Sequence, residues 1–181
     1  MELIKNLKEV SLIKNLFLAI LGTILLAISA KIKIPFWPVP MTMQTFVVLL
    51  LGVAYGWKLG LFTVSLYLLE GIAGLPVFAG TPEKGLGLVY FTGPTMGYLI
   101  GFLVAVFLTG FFTFNNNFFK NFIKLIFSVS FIYLLGLLWL GSIIGWEKPV
   151  FELGAQPFLL AELFKVLILS ILVPKISKFR G

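Results

Sequence analysis

FIKLIFSVSFIYLLGLLWLGSII (122–144) is the stretch that decides the architecture: it carries one charged side chain, Lys124, close to its start. Roughly 20 apolar residues at about 1.5 Å per residue match a hydrocarbon core of about 30 Å. A helix in water keeps a polar face, and this one has none. Similar runs flank it at 12–30, 44–55, 59–72, 95–112 and 157–173. The expectation is an all-α membrane protein, a compact bundle of six transmembrane helices in one domain spanning 1–181. The spans at 44–55 and 59–72 are short for the bilayer, so one is broken, tilted or screened by its neighbours.

Composition agrees. Of 181 residues, 60% are hydrophobic and 12% charged, where a soluble domain carries roughly 25% charged. There is no cysteine, no histidine and no aspartate, and the acids are seven glutamates. That leaves no thiol nucleophile, disulfide or ordinary zinc or haem ligand set, and removes the commonest general base. No cofactor is implied. A binder or carrier fits such a chain better than a hydrolase. The net charge of +7 does not form the basic stripe of a nucleic-acid binder, because the lysines sit at span ends. No G-x-x-x-x-G-K-[ST] phosphate loop occurs either.

Residues 1–11 read as a cytoplasmic flank without the basic-then-apolar order of a cleavable signal. Leu3, Ile4, Leu7 and Val10 share one helical face there, so the flank either rests on the membrane surface or is a plain basic lead-in. The connection after the first span, KIKIPFWPVPMT (31–42), is kept extended by Pro35, Pro38 and Pro40. The connection GLPVFAGTPEKGLGLVYFTGP (74–94) is the longest, and long connections in compact proteins are usually functional. Asn115, Asn116 and Asn117 mark a turn between spans four and five.

The polar residues inside the spans point to chemistry. Glu162 and Lys165, in PFLLAELFKVLIL (157–169), lie on one face of the last span. Each costs at least ~2.5–3.5 kcal/mol at mid-membrane, so such groups face the bundle interior. Counting from Pro157, Glu162 begins about 8 Å below the helix end and Lys165 about 5 Å deeper. The pair reads as the floor of an outward-open pocket, with the lysine suited to an anionic group and the glutamate to N–H donors. The alternative is a self-neutralising structural ion pair. Thr42, Gln44 and Thr45 offer hydrogen bonds at the mouth of the second span, although Thr42 serves equally as a helix cap. Phe78, Tyr90 and Phe91 could stack on a flat ligand or belong to an interfacial aromatic belt. Gly80, Gly85 and Gly87 permit close backbone approach or a turn. Glu70, near a span end, reaches the interface. Ala19, Gly22, Thr23, Ala27 and Ala30 form a small-residue stripe on span one, for packing within the bundle or against a partner helix.

The runs IPFWPVPMTMQT (34–45), GLPVFAG (74–80), GPTMGYLIGF (93–102) and PFLLAELFK (157–165) together resemble the BioY family, biotin-specific S components of energy-coupling factor transporters. The similarity spans about 12–174. It implies an S-component fold with an outward biotin pocket closed by the 1–2 and 3–4 loops. It also implies biotin contacts from Glu162 and Lys165; Gln44, Thr42, Phe78, Gly80, Tyr90 and Tyr98 are the further candidate substrate contacts. The implied partners are a coupling membrane subunit, docked through Ala19, Thr23 and Ala27, and two ATPase subunits. The family more often has Asp where this chain has Glu162, which moves the carboxylate out by about 1.5 Å. Met96 stands where glycine is usual, and Ala19-x-x-x-Thr23-x-x-x-Ala27 is looser than the usual Ala-x-x-x-Ala. Rival readings are an S component for riboflavin or thiamin, and a small intramembrane enzyme.

Charge distribution sets the expected orientation. Lys5, Lys8, Lys14, Lys58, Lys120, Lys124, Lys175, Lys178 and Arg180 fall on one side, against Lys31, Lys33, Lys84 and Lys148 on the other. The positive-inside rule then puts both termini in the cytoplasm and the 1–2, 3–4 and 5–6 loops outside. A reporter fused after Gly181 should read cytoplasmic; an external signal would reverse the topology.

Overall fold

The computed structural model describes residues 2–35 and 41–179, and side chains within 11–35 and 41–178. Pro38, Pro40, Arg180 and the side chains of Leu3, Ile4, Leu7 and Val10 lie outside the described residues. The helices are α1 (Glu2–Lys31), α2 (Gln44–Ile72), α3 (Leu88–Phe91), α4 (Met96–Phe111), α5 (Phe118–Ile144), α6 (Val150–Gly154) and α7 (Gln156–Ile176). Strands β1 (Lys33–Ile34) and β2 (Met41–Thr42) pair antiparallel, with Lys33 opposite Thr42. The 1–2 connection is thus extended on both sides of its Pro-rich part. Helix α1 runs unbroken from Glu2, so the N-terminal flank continues the first span. Asn117 caps α5 by accepting from the Lys120 amide at 2.9 Å, as an Asn-rich turn allows.

Among the described residues, Ser11–Lys31, α2, α5 and α7 are long and apolar enough to cross a membrane, and α4 is a shorter apolar helix. Helix α2 makes two passes. Gly56 has φ 72° and ψ 175°, a conformation open essentially to glycine alone. The Gln44 side-chain amide donates to the Tyr67 hydroxyl at 2.7 Å. In one straight helix, 23 residues would hold the two about 35 Å apart. The chain therefore doubles back at Gly56, and 44–55 and 57–72 run antiparallel. With α1, α4, α5 and α7 these make the six-span bundle expected from the sequence. The one-turn helix α3 is an addition within the long 3–4 connection.

The long helices form much of the outer wall, and the 44–55 helix is the innermost element. Helices α1, α5 and α7 carry exposed Phe17, Ile24, Phe127, Leu134, Phe164 and Ile171, as a lipid-facing wall must. No residue in 44–55 is exposed, and Val48, Leu49 and Val53 are completely covered. A span too short for the bilayer is tolerable there because its ends meet protein rather than lipid. Helix α4 joins it in the interior by lying very close to α5: a Cβ on Gly101 would stand 2.6 Å from the Ile132 Cα. At the far end, Gly110 of α4 presses on the backbone of Gly56 and Trp57.

The small-residue stripe of α1 faces this interior. A Cβ on Gly22 would stand 2.5 Å from the Thr63 Cγ2. Ala19, Thr23 and Ala30 are buried, whereas Ala27 is partly covered. Most of the stripe thus serves α1–α2 packing.

Gly56→Ala should lower stability by about 1–3 kcal/mol, the cost of forcing a side chain into this backbone region. Thermal denaturation in detergent checks it; an unchanged melting temperature would mean that the reversal does not depend on glycine.

Candidate ligand-binding site

The first turns of the 44–55 helix and of α4 border a cavity of about 560 Å³. That size lies within the usual range of small-molecule sites, roughly 300–1,000 Å³. Its wall takes Thr42, Gln44 and Thr45 from β2 and the start of α2, and Thr95, Tyr98, Leu99 and Phe102 from the start of α4. Helix α5 adds Ile132 and Tyr133, α7 adds Phe158, and the 3–4 connection contributes Ala79, Lys84 and Tyr90. The surface is therefore largely aromatic and aliphatic, with hydroxyls, one amide and one amine at separate points.

Behind this wall lies the buried ionic network. Lys165 Nζ donates to the Thr45 hydroxyl at 2.9 Å and to Glu162 Oε2 at 3.3 Å. Thr45 donates onward to Glu162 Oε2 at 2.9 Å, and the Tyr133 hydroxyl donates to the same oxygen at 3.1 Å. Glu162 and Lys165 are only 4% and 6% exposed. The ion pair is thus one layer beneath the cavity, with Thr45 and Tyr133 as its wall-side contacts. Three donors converge on Oε2, while Oε1 is buried with no hydrogen-bond partner among the described residues. An unmade buried acceptor costs about 1–3 kcal/mol, more for a charged group. A small turn of this carboxylate toward an incoming N–H donor would recover that loss.

The other sequence-derived candidates divide clearly. Thr42, Gln44, Tyr90 and Tyr98 line the cavity. Gln44 is held by Tyr67, whose hydroxyl donates to the Val77 carbonyl at 2.9 Å. Tyr98 donates to the Gly154 carbonyl at 2.8 Å, tying α4 to α6. Burial raises the Tyr90 phenol above its ordinary pKa, partly offset by the Thr95 side chain; the phenol donates to the Ala79 carbonyl at 2.8 Å. Phe78 is not on the wall. Its ring, 1% exposed, stacks on Tyr90 at 4.8 Å, meets Tyr67 and Phe91 edge-on, and occupies the hollow left by Gly71. Gly80 is also off the wall; it has φ +79° and makes room for the Lys84 stem.

Sequence reasoning missed Tyr133 and Lys84 as site residues. A tyrosine midway along an otherwise apolar span was a usable signal, because its hydroxyl needs a partner there. Lys84 gave none beyond its charge.

Comparison with known proteins accords with this geometry. The family model described as "BioY family" matches residues 4–181. The "Probable biotin transporter BioY" of Pyrococcus horikoshii is 35% identical over 158 residues, covering 87% of this chain and 89% of that protein. The "Biotin transporter BioY" of Thermotoga maritima is 32% identical over 166 residues, covering 91% and 96%. The crystal structure of "the S-component for biotin from an ECF-type ABC transporter" superposes with a TM-score of 0.75 at 28% identity, covering 94% of each chain. By sequence and by fold, over nearly its whole length, this membrane chain belongs to the BioY family.

Proposed function

We propose that the chain captures biotin on the outer side of the cell membrane and releases it to the cytoplasm, as the substrate-specific S component of an energy-coupling factor transporter. A coupling membrane subunit and two ATPase subunits would supply the energy. The observation that carries this reading is a small-molecule cavity backed by the Thr45–Glu162–Lys165–Tyr133 network, in a chain of the BioY family.

Biotin has an apolar fused ring and aliphatic tail, a ureido group with two N–H donors and a carbonyl, and a terminal carboxylate. The aromatic wall suits the first, and Glu162 with Thr45 and Tyr133 suits the ureido donors. For the carboxylate we favour Lys84. It lines the cavity, whereas Lys165 is already engaged by Glu162 and Thr45. Thr42, Gln44, Tyr90 and Tyr98 complete the proposed contacts. Phe78 and Gly80 would act indirectly, by fixing Tyr90 and Lys84. For the coupling subunit, α1 is the proposed contact. Ala27 is the stripe residue with surface to offer, since Ala19 and Thr23 are packed inside. Both termini are cytoplasmic in this reading.

Equilibrium binding of biotin to the detergent-purified protein is the test. Glu162→Gln and Lys165→Met should each weaken binding by at least ~2 kcal/mol, about thirtyfold, as for lost charge-assisted hydrogen bonds. Each single variant also strands a buried partner. The double variant removes that cost, so it should regain folded yield yet still bind weakly. Full recovery of binding in the double variant would reduce the pair to structure. Tighter binding of riboflavin or thiamin by the parent would move the assignment to another vitamin.

A further inference from the structure

Lys31 ends α1 and directs all its donors into a distant loop. Its amino group donates to the carbonyls of Phe78 at 3.0 Å and Thr81 at 2.7 Å, and to the Thr81 hydroxyl at 2.8 Å. An ammonium has three N–H donors, and here each has a partner. No carboxylate takes part, because the only ion pair among the described residues joins Lys165 to Glu162. The lysine also stands at the end of α1 that carries the loops, away from the side where basic residues concentrate. Its position is explained by what it holds.

What it holds is the 74–87 segment, which covers the cavity and supplies Ala79 and Lys84 to its wall. Four glycines there, at 74, 80, 85 and 87, have positive φ, so the backbone has little stiffness of its own. Several ties seat it. Tyr67 of α2 holds the Val77 carbonyl, Phe78 plugs the hollow at Gly71, Tyr90 of α3 holds the Ala79 carbonyl, and Lys31 grips Phe78 and Thr81. The ties through Tyr67, Gly71 and Tyr90 come from α2 and α3, beside the segment in the chain. The Lys31 tie alone among these comes from α1, which otherwise packs chiefly on α2.

We infer that Lys31 is the positioning residue that links the end of α1 to the segment roofing the cavity, so that the roof lifts only when α1 shifts or the lysine lets go. This rests on the cavity being the ligand site, and adds the element that controls access to it. A helix open to lipid along one face is thereby joined to the cavity roof through the hydrogen bonds of Lys31.

Lys31→Met keeps the stem and removes the donors, while Lys31→Arg keeps donors in reach. Amide hydrogen exchange on the ligand-free protein should be about tenfold faster across 74–87 in Lys31→Met, as for loss of charge-assisted hydrogen bonds, and largely restored in Lys31→Arg. Exchange in α4 and α5 should not change. Unaltered exchange in 74–87, or an equal rise throughout the bundle, would overturn the proposal. With biotin as the probe, Lys31→Met should raise the dissociation rate by about the same factor. If the parent does not bind biotin, the functional reading fails while the exchange measurement still decides the role of Lys31.

Discussion

In hydrocarbon a polar group has no water to fall back on, so each polar side chain placed among the spans must find a partner within the protein. That requirement organises the bundle. Gln44 meets Tyr67, and Tyr67 meets Val77. Ser128 and Ser170 return their hydroxyls to the carbonyls one turn back. Lys165, Thr45, Tyr133 and Glu162 satisfy one another across three helices. Against so complete a pairing, the two buried side-chain atoms without hydrogen-bond partners among the described residues stand out: the Thr109 hydroxyl, at the close α2–α4 contact, and Glu162 Oε1, behind the cavity. The first is a local cost of tight helix packing. The second belongs to the ionic network one layer beneath the cavity.

Packing follows from the same logic. Apolar attraction does not hold helices together in lipid, so close fit must do so. The α4–α5 contact depends on glycine at 97 and 101, the α1–α2 contact on Gly22, and Gly136 receives the Tyr98 ring. These glycines bring the backbones together, and the tyrosines then fix the geometry with hydrogen bonds to distant carbonyls.

Much of this was legible in the sequence, because hydropathy and helical spacing are local properties. The spans, the break between 55 and 59 and the shared face of Glu162 and Lys165 all come from residues close together in the chain. What was hidden depends on residues far apart. Phe78 reads as a stacking platform until the hollow at Gly71 is seen beneath it. Lys31 reads as a flanking charge until its loop partners, 47 and 50 residues away, are in place. Tyr133 is one aromatic among many until the carboxylate of Glu162 is beside it. For Ala19 and Thr23, sequence left internal packing and external docking equally open. The structure has both residues buried, facing inward with Gly22 toward α2.

The cavity lies at the start of the two shortest inner elements. The 44–55 helix is about 18 Å long and α4 about 24 Å, against about 40 Å for α5. The room beside the first turns of these two helices is the cavity. Ligand capacity in such a scaffold is therefore metered by where a helix begins, in steps of about 1.5 Å per residue. One residue gained or lost before Gln44 or Met96 would change the depth of the chamber without altering its walls. Changes in chain length at those two points are thus a route by which one bundle could come to hold molecules of different size.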